Sequence, residues 1–224
     1  MEKATDLNIA ENIRSFLNKL PKEVKLVAVS KTKPTTDIQV AYQAGQRIFG
    51  ENKIQEMTDK WEELPKDIEW HMIGHVQTNK VKYMAPYVSL IHSADRLKLF
   101  KEINKQAENA NRKIEVLLQI KIAEEDSKFG MPPEDAKKLL EGDKLKEYPN
   151  VVIKGLMGMA SFVDDINQVE REFKQLKSIY DQFKDDHNFT ILSMGMSGDY
   201  KLAIDCGSTM VRVGSAIFGE RNYE

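Results

Sequence analysis

The chain has 224 residues, with 33 Lys+Arg against 35 Asp+Glu and a formal net charge of −2. That balance excludes the basic footprint of a nucleic-acid binder, and the single cysteine, Cys206, excludes an internal disulfide framework and points to a reducing compartment. No apolar run is long enough to span a bilayer, and residues 1–6 carry no signal-peptide apolar region. The expectation is a soluble cytoplasmic protein with no membrane or nucleic-acid partner. Its length fits one large α/β domain or two small ones and can bury a sizeable core.

Residues 6–20 read as an amphipathic helix that Pro21 stops, with Leu7, Ile9, Ile13, Phe16, Leu17 and Leu20 as its stripe. The chain then alternates. Apolar runs at 25–31, 47–51, 69–74, 88–92, 114–122, 151–160, 190–195 and 210–217 predict strands. Polar segments near 35–45, 53–64, 78–86, 95–110, 132–141, 165–184 and 199–206 have helical spacing. Eight such units predict a parallel sheet, closed as a (β/α)8 TIM barrel or open and doubly wound. No Gly-x-Gly-x-x-Gly follows the first strand, so the dinucleotide fingerprint of an open sheet is missing. Residues able to do chemistry recur just after the apolar runs, where a barrel gathers its active site. The expectation is therefore a single barrel domain over 1–224, with residues 1–22 as a helix packed on it. The charged stretch 141–147 reads as a solvated loop.

Five stretches carry candidate chemistry. In Leu26-Val27-Ala28-Val29-Ser30-Lys31-Thr32-Lys33-Pro34, strand alternation puts Val27, Val29 and Lys31 on one face. An amine at the rim of a core is partly desolvated and suits a Schiff-base lysine. A lysine that snorkels from a strand end into water is the simpler account of this stretch alone. Gly50-Glu51-Asn52 ends the next strand, where Asn52 is either a polar ligand group or a helix N-cap. His71 and His75 lie four apart on a strand, roughly 13 Å, too far to share an ion. His71 reads as a hydrogen-bonded histidine of the core or mouth, and no metal site is expected. Ser193-Met194-Gly195-Met196-Ser197 and Arg212-Val213-Gly214-Ser215 end the last two strands. In barrels those loops commonly hold phosphate, and the agreement of two segments favours that over simple capping. Arg212 interrupts an apolar strand and needs a partner there.

Ala28-Val29-Ser30-Lys31-Thr32-Lys33-Pro34, Phe49-Gly50-Glu51-Asn52, Trp70-His71-Met72-Ile73-Gly74, Gln77-Thr78-Asn79-Lys80, Ser193-Met194-Gly195-Met196-Ser197 and Gly207-Ser208-Thr209-Met210-Val211-Arg212-Val213-Gly214-Ser215 occur in that order. Together they closely resemble the pyridoxal 5'-phosphate homeostasis proteins (the YggS/PROSC family), from about Lys25 to Tyr223. The resemblance implies a barrel like the N-terminal domain of alanine racemase with pyridoxal phosphate at its mouth. It implies that Lys31 forms the internal aldimine, that Asn52 and His71 line the pocket, and that Arg212 faces the pyridine nitrogen. Ser197, Gly214 and Ser215 would hold the phosphate. Residues 126–130 look like the family's Ser-Lys-x-Gly loop, and His75 is a departure where many relatives have an apolar residue or proline. Lys33 is the rival nucleophile, expected outside the strand.

Three functions fit these residues: a carrier of pyridoxal phosphate in vitamin B6 homeostasis, a racemase-like enzyme, or a Schiff-base aldolase. Racemization needs acid/base groups on both faces of the cofactor. In alanine racemases the second face is served by a tyrosine from a separate domain, which this sequence is expected to lack after its last strand. A guanidinium at the ring nitrogen also disfavours the protonated, electron-withdrawing ring. The expectation is thus a monomeric, non-enzymatic carrier, with apo pyridoxal-phosphate enzymes as recipients. The aldolase reading leaves Arg212 without a role.

Overall fold

The computed structural model describes residues 4–124 and 129–219, with side chains from residue 8 onward. Eight strands close into an all-parallel barrel in chain order: β1 (Lys25–Val29), β2 (Ile48–Glu51), β3 (Glu69–Met72), β4 (Leu90–Ala94), β5 (Ile114–Gln119), β6 (Val151–Met157), β7 (Ile191–Ser193) and β8 (Met210–Val213). The ring is sealed where β1 pairs with β8, with Leu26 opposite Val211 and Val27 opposite Arg212.

Strand alternation sorts the barrel into two cores. Leu26, Ala28, Phe49, Trp70, Ile91, Val116, Leu118, Leu192 and Val211 face outward into the layer shared with the helices. Val27, Leu90, Leu117, Met157 and Met210 form a separate interior cluster. Apolar residues on both faces explain why the strands read as unbroken runs. The register shifts at two places, between Ile91 and Ala94 where β4 pairs with β5, and in β6. In β6 the pairing with β5 jumps from Val116–Ile153 to Leu117–Gly155. Gly155 has φ +152, and a Cβ there would lie 1.7 Å from the Ile191 carbonyl oxygen, so only glycine fits the bulge.

The helices follow the polar segments. α1 (Ala4–Lys19) buries Ile9 and Ile13 against the barrel and packs on α2 (Thr35–Gln43) and α9 (Ser215–Phe218). α3 (Ile54–Glu63) follows β2, and α4 (Val81–Met84) extends a short 3-10 turn at Thr78–Lys80. α5 (Leu97–Asn109), α6 (Pro133–Glu141), α7 (Ile166–His187) and α8 (Tyr200–Asp205) complete the ring. Three expectations change in detail. The stretch 210–217 is not one strand: β8 stops at Val213, and Ile217 N–H turns back to the Gly214 carbonyl to open α9. The cap of α3 is Lys53 rather than Asn52. The charged stretch 141–147 contains a 3-10 turn at Lys144–Glu147. No helix among the described residues is long and apolar enough to cross a membrane.

Candidate functional site

A cavity of about 1020 Å³ opens at the C-terminal ends of the strands. Val29 and Lys31 line it from the end of β1, while Val27 lies deeper in the interior cluster. The three alternate residues thus run from plug to rim as strand geometry requires, although β1 itself ends at Val29. Lys31 sits in a tight turn closed by Lys33 N–H donating to the Ser30 carbonyl at 3.0 Å, with Thr32 at φ +65. Lys33 also reaches the cavity, but its Nζ donates to the Phe218 carbonyl at 2.9 Å.

Asn52, Ser197, Arg212, Gly214 and Ser215 share the same wall. The two expected anion segments are tied directly: Ser197 Oγ accepts from Gly214 N–H at 3.2 Å. Asp199 Oδ1 accepts from Met196 N–H at 2.5 Å and shapes the first segment from below. Gly214 lies against β1, and a Cβ there would meet Val29 Cβ and O at 3.3 Å. At the start of α9, Ile217 and Phe218 N–H both donate to the Gly214 carbonyl at 2.9 Å.

Arg212 is buried and held by two side-chain hydrogen bonds. Its Nη1 donates to Ser193 Oγ at 2.5 Å and its Nη2 to the Gly158 carbonyl at 3.1 Å. Burial lowers its pKa to about 10, which still leaves it charged at neutral pH. Ser193 Oγ also meets His92 Nδ1 at 3.0 Å, and His92 Nε2 meets His71 Nδ1 at 3.0 Å. Four side chains on β3, β4, β7 and β8 therefore form one buried polar chain across the barrel. His71 was expected on the pocket wall. It lies below the wall, 3% exposed, and connects to it only through His92, Ser193 and Arg212. Burial, with the nearby positive charge of Lys25, lowers its pKa to about 3. Burial also holds His92 well below the ordinary histidine value, so both rings are neutral and one donates to the other.

Two polar groups escaped the sequence reading. Glu172 on α7 accepts from Ser161 N–H at 2.6 Å, Ser161 Oγ at 2.7 Å and Glu124 N–H at 3.1 Å. It thereby gathers the segments leaving β5 and β6 around the mouth. Burial alone would raise its pKa, but the hydrogen bonds from Ser161 and Glu124 prevail and lower it. The second group, around Glu51 and Lys60, lies behind the Lys31 turn. An acidic residue inside a strand run was the available signal for Glu51. His75 lines the outer cavity, stacked on Phe129 with ring centroids 4.9 Å apart. Of the expected Ser-Lys-x-Gly loop, 126–128 lie outside the described residues. Among the described residues no cluster of side chains suits a metal ion.

A parallel barrel whose mouth gathers an amine, a guanidinium, two hydroxyls and a glycine turn is a barrel of the alanine-racemase type. Residues 7–222 match the family described as alanine racemase, N-terminal domain. The pyridoxal phosphate homeostasis protein of Pasteurella multocida is 42% identical over 206 residues, covering 89% of this chain and 88% of that protein. The human protein of that name is 37% identical over 234 residues, covering 96% and 85%. The structure of PipY from Synechococcus elongatus with PLP bound is 35% identical, with a TM-score of 0.85 over 94% of this chain and 100% of that one. The chain belongs to the pyridoxal phosphate homeostasis protein family. Alanine racemase of Clostridium difficile shares the fold at 14% identity and a TM-score of 0.77, and this chain covers 58% of it.

Proposed function

We propose that this protein binds pyridoxal 5'-phosphate, with Lys31 as covalent attachment point, and serves vitamin B6 homeostasis by holding and releasing it with little turnover. The observation that carries this reading is the convergence of Lys31, Arg212 and the Ser197–Gly214–Ser215 cradle on one cavity. The donor set fits a planar aldehyde that carries a phosphate dianion. A primary amine suits the aldehyde, and hydroxyls with strand-end and helix-start amides suit the phosphate. Arg212 is fixed by Ser193 and Gly158, so it presents a guanidinium held in one place toward the ring. Lys33, the rival amine, lies two residues beyond Lys31, just before Pro34, and its Nζ donates to the Phe218 carbonyl at 2.9 Å. The names of the relatives and the PLP bound in PipY support the same ligand. When bound, the aldehyde supplies an electrophile that Lys31 captures; the remaining residues bind and orient it.

The test is borohydride reduction after incubation with pyridoxal phosphate, followed by peptide mapping. The expected result is a reduced adduct on Lys31 and a visible absorbance band, both lost in Lys31→Ala. An adduct that persists in the variant and maps to Lys33 would overturn the assignment.

A further inference from the structure

Behind the Lys31 turn, on the face of the sheet away from the cavity, lies a buried charged group that touches no ligand-facing atom. Lys60 on α3 is 5% exposed. Its Nζ donates to Glu51 Oε1 at 2.8 Å, to Glu56 Oε1 at 2.7 Å and to the Ser30 carbonyl at 2.9 Å. Ser30 Oγ donates to the same Glu51 oxygen at 2.6 Å. Thr32 N–H donates to Glu56 Oε1 at 2.6 Å. Ser30 and Thr32 are the chain neighbours of Lys31, so the backbone is gripped on both sides of the lysine. None of Glu51, Glu56 or Lys60 lines the cavity.

Stability alone does not account for this group. A buried ion pair is often no better than apolar residues of the same shape, and here Glu51 Oε2 makes no hydrogen bond among the described residues. Thr32 also adopts a left-handed conformation at φ +65, which costs a β-branched residue roughly 1–3 kcal/mol. A strained turn held by a costly buried network points to a geometric requirement at the residue in its middle.

We infer that Glu51, Glu56 and Lys60 are positioning residues that fix the Lys31 turn for capture of the aldehyde. The inference rests on the reading of Lys31 as the attachment point. In that capture the neutral Lys31 Nζ adds to the aldehyde carbon. The C=N bond forms, the C=O bond breaks, and the oxygen leaves as water with both amine protons. The rate of this addition depends on where Nζ stands, and a misplacement of about 1 Å costs on the order of a hundredfold. The turn, not the lysine's own long side chain, sets that position at the backbone.

Two variants of the full chain test it. Glu56→Ala removes the acceptor for Thr32 N–H from a partly exposed site, and Glu56→Gln restores an acceptor oxygen. The double variant Glu51→Gln/Lys60→Met removes the fully buried pair together and leaves only Glu56, whose side chain is partly exposed to water, without its lysine. Each is followed by amide exchange at Thr32 without ligand, by stopped-flow capture of pyridoxal phosphate, and by borohydride trapping at saturation. Glu56→Ala and the double variant are expected to speed Thr32 exchange and slow capture by about ten- to a hundredfold. Trapping should still map to Lys31, and Glu56→Gln should return most of the rate. Wild-type capture rates in both Glu56→Ala and the double variant, with trapping intact at Lys31, would overturn the positioning role while leaving the attachment point standing. A wild-type protein that traps nothing at Lys31 removes the attachment reading, and the positioning role with it.

Discussion

His71 and His92 show what a single side chain inside the barrel does to the whole stability curve. Both are held neutral by burial, His71 down to about 3. In the unfolded chain a histidine takes up a proton near 6.5. Below that pH the unfolded state binds protons that the native state refuses, so stability present above 6.5 is lost as pH falls toward the native value. By pH 5 the loss is about 2 kcal/mol for each ring. Glu51 works in the opposite direction. Burial first, only partly offset by Lys60 and Ser30, raises it to about 7, so over about 4.5–7 the native state holds the extra proton and gains as pH falls. Urea melts at pH 7 and pH 5 are therefore expected to show a smaller acid loss in His71→Gln than in wild type, by about 2 kcal/mol. Parallel losses would show that His71 is not the neutral, buried base described. The sequence marked His71 as a core or mouth histidine, which it is, but its partner His92 lies 21 residues away on the next strand. That pairing is a product of strand register, which no local pattern encodes.

Elements were legible wherever burial on both faces produced an apolar run, and misread where an apolar run changed structure midway. Eight strands and the main helices follow from periodicity because a parallel barrel strand must be apolar on both sides. The run 210–217 failed because Ala216, Ile217 and Phe218 belong to α9, where Ile217 and Phe218 are buried, and burial in a one-turn helix looks the same as burial in a strand. Gly155 was silent for a related reason: a bulge is set by its neighbour Ile191, not by its own sequence context. The loops after β7 and β8 meet at the mouth, where Ser197 Oγ accepts from Gly214 N–H. Their joint role can be probed at Gly214. Gly214→Asp places a carboxylate in the proposed phosphate cradle, where two charges about 4 Å apart repel by about 1–4 kcal/mol between the solvent and protein-surface limits. Retention of pyridoxal phosphate is expected to fall by about tenfold or more, with the circular dichroism of the barrel unchanged. Equal retention by the folded variant would move the phosphate away from this loop.

At the scale of the molecule, the fold is shared with enzymes, so the barrel itself does not separate a carrier from a racemase. The cavity wall is where a racemase would have to place its second acid/base group. Racemization removes the Cα proton from one face and returns one to the other, and each acid or base is typically worth about 10²–10⁴ in rate. The proposed attachment residue, Lys31, would serve one face. Among the described residues no tyrosine lines the cavity, and the other titratable side chains there are Lys33, His75, Asp164, Asp199 and Arg212. Lys33 is tied to Phe218, Asp199 caps the Met196 amide, and Arg212 stays charged at neutral pH. His75 stands at the outer rim against Phe129, beside Asp95 at 3.8 Å, and Asp164 is an exposed residue with its carboxylate open to water. A wall with one well-placed amine and no committed partner acid is expected to bind amino acids without turning them over at enzyme-like rates. Incubation of the loaded protein with Cα-deuterated amino acids, read by mass spectrometry and chiral chromatography, measures both steps. The expected outcome is slow Cα exchange that depends on Lys31, with no accumulation of the opposite enantiomer. Sustained racemization that copurifies with the protein, vanishes in Lys31→Ala and falls by about a hundredfold or more in His75→Ala would make this an enzyme and His75 its second base.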